Sequence, residues 1–352
     1  MGNQKTPKPE TMSHPTAPSG LTSPETAPAY LRTPVAWFEG LPNARDRFRW
    51  TLRDALDSLL DGQHTGRWNY LHLSKTEKTH LGTTIEIMLT KELEIGEGVE
   101  LDWLISGIEV DCKFSKDFGK WQIPLEMYLS DTPGQRSGKA DQIALVVWLD
   151  DDRGMWAAGL VQIRDHLLSK AKGQGDKKRV LNAEGLKSVH WLWGGPQNDL
   201  PDNQLLHLSE EARQRIFGAS KRSGQKRINA LLREFNGQVV HRTTVLTVAQ
   251  QADGMKRPRD SRLSANLGKE GFLVLGHQGA HPHISRRLNL PVATKGDFVP
   301  IRVVQVEPDA ARPKVYLGEL HWAVANASEG AGAAPAIPEK RPQAGWEEYL
   351  SQ

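Results

Sequence analysis

The stretch Leu101–Ser115, with the sequence LDWLISGIEVDCKFS, decides how this chain folds. Apolar and β-branched residues on both sides of Gly107 predict two strands joined by a tight turn. Because side chains alternate between the two faces of a strand, Asp111 and Lys113 should project to one side, opposite Cys112. One face of this strand can then pack while the other holds a charged pair.

Asp111, Lys113 and the earlier Asp102 are residue types that suit metal-assisted hydrolysis of a phosphodiester. Two carboxylates can hold Mg²⁺ through oxygen, and an adjacent ammonium can orient a water molecule and offset charge that develops on the phosphate. The same spacing recurs at 176–178, but in a Gly/Lys-rich stretch without a strand pattern. An ordinary ion pair on a solvated strand face is the alternative interpretation.

Length and composition are those of a soluble globular protein with room for two domains, at 352 residues and a net charge of +3. The longest uninterrupted apolar run, Ile143–Leu149, is too short to span a bilayer, and the N-terminus lacks an apolar signal core. We therefore expect a cytoplasmic protein without a membrane partner. The single cysteine, Cys112, excludes an intrachain disulfide and a Cys-based zinc site, and it should be a small core residue.

Positive charge is concentrated in the segment Arg213–Arg262. This segment has twelve Lys or Arg against three acidic residues, a net charge of +9, which leaves −6 for the rest of the chain. A basic block inside a nearly neutral protein is the electrostatic footprint expected of phosphate binding. A solvated Lys/Arg face is the alternative.

The first part of the chain alternates patterns of helices and strands. Apolar periodicity predicts a helix over 45–60 and another over about 76–93, which carries Glu86 beside its apolar face. Strands are predicted over 121–129, 142–149 and 155–163, and a short helix over 164–172. The continuous apolar character of 142–149 places it at the centre of a sheet.

Shifts in composition predict where the domains begin and end. Residues 1–32 are rich in Pro, Thr and Ser and should be disordered, and residues 327–352 are rich in Ala, Gly and Pro and should be loose. A Gly/Lys/Gln-rich break after residue 169 introduces a linker, which we place at 179–189. It separates a first domain at 33–178 from a second at 190–326.

The second domain is predicted to be a winged helix-turn-helix. Ser209 should cap a helix, and a basic amphipathic helix covers 225–235. Two short helices over 243–251 and 258–267, a strand over 272–275 and a Gly/His loop then follow in the order of that fold. A packing unit of the same shape that binds no DNA is the alternative.

Arginines on the second short helix would reach double-stranded DNA. An arginine fork can pair with guanine edges in the major groove or with phosphate oxygens, and the sequence does not separate the two roles. The residues expected to contact DNA are Arg257, Arg259, Arg262, Lys256, Lys226 and Arg227.

Chain order, the metal motif and the basic second domain together resemble the NaeI-type restriction endonucleases. The resemblance covers about residues 37–308 and includes LLDGQ at 59–63, TGRW at 65–68, and Glu86 placed sixteen residues before Asp102. It implies a PD-(D/E)xK nuclease core of the α/β (α+β) class. A mainly helical winged helix-turn-helix domain, like that of catabolite activator proteins, should follow the core.

The resemblance also implies the site and the reaction. Glu86, Asp102, Asp111 and Lys113 fall on the family's catalytic positions, and Asp102, Asp111, Glu86 and the Cys112 carbonyl would hold Mg²⁺. The expected protein is a type II restriction endonuclease of a restriction-modification system. It would act as a homodimer on a GC-rich palindrome similar to GCCGGC, activated by a second bound copy of the site.

The residues alone leave two other functions open. One is a winged-helix regulator of DNA without catalysis, and the other is a repair nuclease that recognises DNA structure. Ligase chemistry is rejected, because Leu59 stands where the Lys-x-Asp-Gly-x-Arg motif needs its adenylated lysine. The Asp61-Gly62 pair in that stretch is expected to end a helix.

Two further groups of residues receive weaker interpretations. Glu109 could add a carboxylate near the metal, but pairing at the surface is favoured. His277, His281 and His283 have a spacing that a metal could use. The Gly and Pro among them favour a loop or wing that touches phosphate over a structural zinc site.

Overall fold

Helices and short strands alternate along the computed structural model, which describes residues 26–129, 138–170, 178–218, 223–330 and 332–352. Its α-helices are α1 Arg32–Gly40, α2 Ala44–Leu60, α3 Gly62–Thr65, α4 Lys75–Leu93, α5 Ala183–Lys187, α6 Glu210–Phe217, α7 Gly224–Glu234, α8 Arg242–Ala249, α9 Arg257–Asp260, α10 His281–Arg287 and α11 Trp346–Tyr349. Its strands are β1 Gly96–Glu97, β2 Trp103–Ile105, β3 Ile108–Ser115, β4 Ile143–Asp150, β5 Met155–Gln162, β6 His190–Trp191, β7 Phe272–Leu275, β8 Val299–Val306, β9 Lys314–Leu317 and β10 Leu320–Val324. Within these ranges, no helix has the length and apolar character needed to cross a membrane.

The chain divides into two compact units. Unit 1 consists of Met1–Leu56 and Ser74–Asp202, and unit 2 consists of Asp57–Leu73 and Asn203–Gln352. This division corrects the linker predicted over 179–189, which is part of unit 1. The backbone of this segment is hydrogen-bonded to other parts of unit 1: Arg179 and Ile123 exchange hydrogen bonds of 2.8 and 2.9 Å, and the following strand β6 pairs with β5.

A mixed sheet forms the centre of unit 1. Among the described residues its strand order is β1-β2-β3-β4-β5-β6. Strand β3 pairs antiparallel with β2 and parallel with β4, and β4 pairs antiparallel with β5 along its full length. Strands β4 and β5 are buried almost throughout, and the continuous apolar character of 142–149 predicted this for β4. The architecture agrees with the mixed α/β class expected for the first domain.

The β2–β3 hairpin turns at Ser106 and Gly107, as the sequence predicted. Their φ angles are +49° and +82°, the left-handed pair that a two-residue hairpin turn requires. Glycine adopts such an angle without a steric cost. The turn sets the register, so Trp103 lies opposite Val110 and Asp102 lies at the start of β2.

Helix α4 lies where apolar periodicity predicted it. Its N-terminus has a capping box, in which Ser74 and Glu77 each accept a hydrogen bond from the other's backbone amide. At Gly82 the helix approaches β3 closely, since a Cβ built there would lie 3.4 Å from Phe114 Cβ. This contact holds Glu86, one turn further along the helix, near β3.

Two predicted elements of unit 1 are corrected. Residues 121–129 are not a strand, because Pro124 lacks an amide for a ladder and a 3₁₀ turn follows at Leu125–Met127. The helix predicted over 164–172 is a 3₁₀ turn at Asp165–Leu167. The next residues pair with another segment instead, as Ser169 N donates to the Val180 carbonyl at 2.8 Å.

The end of the N-terminal tail, predicted at residue 32, is corrected. Leu31 is fully buried and α1 begins at Arg32, so packed structure starts before residue 32. Residues 1–25 lie outside the described residues, as do 171–177, which include the Asp176 and Lys177 of the second triplet.

Helices α6, α7 and α8 form the first core of unit 2. Ser209 caps α6 as predicted, because its hydroxyl accepts from Ala212 N at 3.1 Å. The basic helix predicted over 225–235 is confirmed as α7. The apolar side chains that pack between these helices include Ile216, Ile228, Leu231, Leu232, Val245 and Val248.

The predicted second helix of the helix-turn-helix is much shorter than expected. It ends at Asp260 rather than near residue 267. The Asp260 carbonyl accepts from Leu263 N at 3.1 Å and from the Asn266 side-chain amide at 2.8 Å, neither of which is the amide of residue 264 that a continuing α-helix would use. Ser261, which is fully buried, donates to Asn229 Oδ1 at 2.7 Å and holds the turn against α7.

A second sheet follows, with the order β7-β8-β10-β9 and antiparallel pairing throughout. Strand β7 was predicted, whereas β8, β9 and β10 were not. The predicted Gly/His loop is corrected in part: His281–Arg287 form α10, because Pro282 stands in the first helical turn, where proline lacks only an amide that would be unpaired anyway.

The C-terminal segment predicted as a loose tail over 327–352 is corrected by its packing. Trp346 and Leu350 are buried with Val315 and Leu317 of β9. Tyr316 N also donates to the Leu350 carbonyl at 3.1 Å. A composition rich in Ala, Gly and Pro concealed these two apolar anchors.

The Asp61-Gly62 pair ends α2, as predicted. Asp61 has a φ of +45°, and Gly62 meets helix α8 within unit 2. A Cβ on Gly62 would lie 2.1 Å from Thr247 Oγ1 and 2.8 Å from Thr247 Cβ. No side chain fits at residue 62 unless α8 moves away.

We expect Gly62→Ala to lower the free energy of unfolding by about 1–3 kcal/mol, the usual effect of overpacking a close contact. Gly40→Ala is the matched control, because a Cβ there meets no atom within 4 Å. Urea unfolding of both variants measures the difference. Equal stabilities of the two variants would show that α8 does not restrict residue 62.

Candidate active site

Asp111 and Lys113 form an ion pair on β3, between Asp111 Oδ2 and Lys113 Nζ. The two side chains therefore share a face of the strand, as the alternation predicted. Asp111 is only 6% exposed, while Lys113 is half-buried. A carboxylate this deep has lost most of its hydration, so a nearby positive charge stabilises its ionised form.

Asp102 lies where the hairpin ladder ends. Its Oδ2 accepts a hydrogen bond of 2.7 Å from Cys112 N, although a continuing register would place Leu101 opposite Cys112. The carboxylate thus substitutes for a strand carbonyl. On its other side Trp103 is fully buried and donates from Nε1 to Thr90 Oγ1 at 2.7 Å, which fixes the backbone beside Asp102.

Helix α4 brings Glu86 to the same place. Burial raises the pKa of Glu86, and the charge of Asp102 raises it further, while Lys113 opposes both effects. Thr90 was missed by the sequence reasoning, yet its hydroxyl donates to the Glu86 carbonyl at 2.8 Å and accepts from Trp103. Its position four residues after Glu86 is the signal that could have identified it.

The electrostatics of the site are dominated by carboxylates. Burial raises the pKa of Asp111 to about 6, against the lowering effect of Lys113, and the nearby Asp102 adds to the rise. The charge of Asp102 also raises the pKa of Glu86. The ammonium of Lys113 therefore leaves part of the mutual repulsion uncompensated, and a bound cation would relieve it.

Cys112 is buried between these acidic residues, as its position on β3 predicted. Burial raises the pKa of its thiol, and Asp102, Glu86 and Asp111 raise it further. A thiol of this kind is a poor nucleophile. Its backbone amide is committed to Asp102, and its carbonyl is the group that the sequence assigned to the metal.

Glu109 faces the turn that precedes Asp102. Its carboxylate accepts hydrogen bonds from the backbone amides of Val99, Glu100 and Leu101, and these bonds lower its pKa. The side chain is thus occupied by protein amides. This placement agrees with a role outside the set of metal ligands.

The donor set can be tested against a divalent cation. Among the described residues, no group of three or more His, Cys, Asp or Glu side chains is placed so that together they could hold a metal ion. Asp102, Asp111 and Glu86 supply carboxylate oxygens, the hard ligands that Mg²⁺ prefers, and Mg²⁺ usually keeps several waters and binds phosphate oxygens as well. The carboxylates of Asp102 and Asp111, with Glu86 near Asp102, would leave most of the coordination positions to water and phosphate oxygens, which suits this ion.

Two of the arginines expected to contact DNA, Arg227 and Arg262, point into unit 2. Arg227 is 4% exposed and donates to the carbonyls of Val248 and Ala249 at 2.7 and 2.5 Å, at the C-terminal end of α8. This corrects its assignment, since a buried guanidinium cannot reach phosphate. Arg262 donates to the Val274 carbonyl at 2.8 Å, and burial lowers its pKa to about 10.

Arg257 is held by neighbouring side chains. Its guanidinium donates to Gln251 Oε1 at 2.9 Å and to Asp253 Oδ2 at 2.6 Å. Lys226, Lys256 and Arg259, by contrast, are exposed. Lys256 makes an ion pair of 3.2 Å with Asp260 across one turn of helix. Of the six predicted residues, these three present charge to solvent.

His281 and His283 differ in their surroundings. His283 pairs through Nδ1 with Glu347 of the C-terminal segment. Burial, together with the charges of Arg262 and His277, lowers the pKa of His281 to about 4, so His281 is neutral at pH 7. His281 and His283 both belong to α10 rather than to a loop.

Comparison with known proteins places the chain in one family. Residues 42–332 match the profile of the restriction endonuclease NaeI family, which includes both the carboxylate site and most of unit 2. The type II restriction enzyme NaeI of Lentzea aerocolonigenes is 40% identical over 300 residues, which cover 84% of this chain and 90% of that enzyme. The chain belongs to the NaeI family of restriction endonucleases.

Proposed function

We propose that this chain is a Mg²⁺-dependent type II site-specific deoxyribonuclease with a PD-(D/E)xK core. The observation that carries the proposal is that Asp102 and Asp111 lie beside Lys113, while Glu86 of α4 is close enough for the charges of Asp102 and Lys113 to act on it. Family membership supports the reaction class, because the enzyme from Lentzea aerocolonigenes is a type II restriction enzyme. The geometry supplies residues for that reaction.

Asp102, Asp111 and the Cys112 carbonyl would hold Mg²⁺, and Glu86 would complete the shell directly or through water. Mg²⁺, when bound, would polarise the scissile phosphate and offset the charge of the transition state. The protein holds these oxygens in place beforehand. The Cys112 amide fixes Asp102, and α4 fixes Glu86.

Lys113 has the role of orienting the attacking water and the phosphate. Its ammonium can donate hydrogen bonds to both, and its pairing with Asp111 keeps it at the site. A bond forms between the water oxygen and phosphorus while the bond from phosphorus to the 3′ oxygen breaks. The water releases a proton to solvent and the 3′ oxygen gains one, which leaves a 3′ hydroxyl and a 5′ phosphate.

Unit 2 would bind double-stranded DNA as a variant winged helix-turn-helix. The order α7, α8, α9, β7, β8 supports this assignment, although α9 is short. Lys226, Lys256 and Arg259 are the contacts that exposure supports. The family resemblance supports a homodimer, a GC-rich palindrome and activation by a second bound site, all of which stay part of the proposal.

Asp111→Ala should abolish cleavage, by about 10³-fold or more, and leave DNA binding intact. The reason is that it removes a metal ligand and the partner of Lys113. A digest of a sequenced plasmid with Mg²⁺ and mapping of the ends measures activity, specificity and cut position together. Glu184→Ala, an exposed acid of unit 1, is the control for loss of one negative charge.

The digest distinguishes the proposed function from each of the two alternatives. Discrete fragments from the wild type would exclude a nuclease that recognises DNA structure. DNA retention without Mg²⁺-dependent cuts would favour a regulator without catalysis. Cleavage by Asp111→Ala at the wild-type rate would remove this residue from the site.

Asp111→Asn should stabilise the metal-free protein by about 2 kcal/mol at pH 8. Folding raises the pKa of Asp111 to about 6, so its contribution is favourable below the unfolded pKa near 4 and is lost as the pH rises through 6. The gain of the variant should therefore be small at pH 4 and full at pH 8. Thermal unfolding in EDTA at both values tests this, and an equal gain would contradict the assignment.

Arg259→Ala should weaken DNA binding and reduce the slope of log Kd against log salt by about 1, as expected for the loss of one phosphate contact. Arg233→Ala removes the same charge and is the control, because Arg233 is neutralised by two hydrogen bonds to Glu270 of 2.8 and 2.7 Å. Fluorescence anisotropy with a labelled duplex in EDTA measures both. Equal slopes for the two variants would remove Arg259 from the interface.

A further inference from the structure

Glu109 binds the turn that leads into Asp102. One carboxylate oxygen accepts from Val99 N at 2.8 Å, and the other accepts from Glu100 N and Leu101 N at 3.0 Å each. Three successive amides thus converge on one ionised side chain. Such charge-assisted hydrogen bonds are roughly twice as strong as neutral ones.

We propose that Glu109 is a positioning residue, which acts on the reaction by fixing Asp102. The inference rests on the proposed function, because Asp102 matters only as a ligand of the divalent cation. Glu109 itself touches neither metal nor DNA in this assignment. Glu109 binds the backbone of residues 99–101 and holds it in the conformation that directs Asp102 toward the site.

The pairing of β1 with β2 brackets this turn, and an exposed ion pair joins Glu100 to Lys139, but Glu109 holds the backbone amides between them. Val99 is 91% exposed and Glu100 is exposed as well, so the turn buries almost no apolar surface there. Within the turn, Gly98 N makes a hydrogen bond of 3.3 Å to the Asp102 carbonyl. A bond of that length constrains the chain weakly.

The two sides of Asp102 are held in different ways. On the C-terminal side, Trp103 is fully buried and bonded to Thr90. On the N-terminal side, the Leu101 amide bonded to Glu109 is the nearest anchor. If Glu109 is lost, the turn can relax toward water, and the Asp102 carboxylate can leave the Cys112 amide.

The chain provides a control in the same turn. Glu100 makes an ion pair with Lys139 through its side chain, and its carboxylate bonds none of these amides. Glu100→Gln therefore removes one negative charge near Asp102 while all three amide contacts stay. Glu109→Gln keeps one acceptor oxygen, and Glu109→Ala keeps none, so the two variants grade the loss of support.

The test measures metal binding and cleavage on the full chain. Terbium luminescence excited through tryptophan reports binding at the site, with Asp111→Asn as the blank and Mg²⁺ as the competitor. We expect metal affinity to fall about tenfold or more in Glu109→Ala, less in Glu109→Gln, and not at all in Glu100→Gln. The Mg²⁺ concentration for half-maximal cleavage should rise by the same factors, and saturating Mg²⁺ should restore most of the rate.

The outcomes separate this inference from the function beneath it. Metal affinity and Mg²⁺ dependence in Glu109→Ala equal to those of Glu100→Gln would overturn the positioning role. A rate that saturating Mg²⁺ does not restore would also overturn it, since the defect would then lie beyond Asp102. If Glu109→Ala fails to fold, Glu109→Gln carries the test. A wild type that binds no metal and cuts no DNA would overturn the proposed function, and this inference with it.

Discussion

The hydrogen bond from Cys112 N to the Asp102 carboxylate is the contact on which the site depends. Strand β3 continues beside β4 after its antiparallel ladder with β2 has ended at Trp103 and Val110. The Cys112 amide would be left without a strand partner on that side, and a buried amide without an acceptor is costly. Asp102 fills the gap with its side chain. A carboxylate that completes a sheet is fixed by the sheet, so its orientation follows from the backbone.

The buried carboxylates of the site lower the stability of the fold. Asp111 is buried beside Asp102, and burial raises its pKa to about 6, so its ionised form at pH 8 is costly to the fold. The surrounding structure tolerates this cost because α4 and the sheet are well packed. Leu81, Ile85 and Leu89 are fully buried along the helix that carries Glu86. The packed helix and sheet thus hold these carboxylates close together in spite of their mutual repulsion.

Local patterns explain how much of this the sequence could predict. The alternation on β3, the turn at Gly107 and the extent of helix α4 all depend on near neighbours, and each was predicted correctly, although the capping box of α4 was not. Other features depend on contacts between distant residues. Pairing of Ser169 with Val180 replaces a predicted helix, and the Asn266 side chain ends α9 early. The hydrophobic periodicity of a segment does not indicate contacts of this kind.

The arginines of unit 2 show most clearly that local sequence does not predict contacts between distant residues. Arg227 and Arg259 stand in the same basic block, and nothing in their neighbours reveals that one is buried against α8 carbonyls while the other is exposed. The block contains twelve Lys and Arg, but ion pairs to Glu234, Asp253 and Glu270 neutralise three of its arginines. Because a paired charge releases few counterions on binding DNA, a count of all twelve cations overstates the attraction. Affinity for phosphate should therefore depend on the few exposed, less strongly paired cations, and the salt dependence of binding should count those residues rather than the whole block.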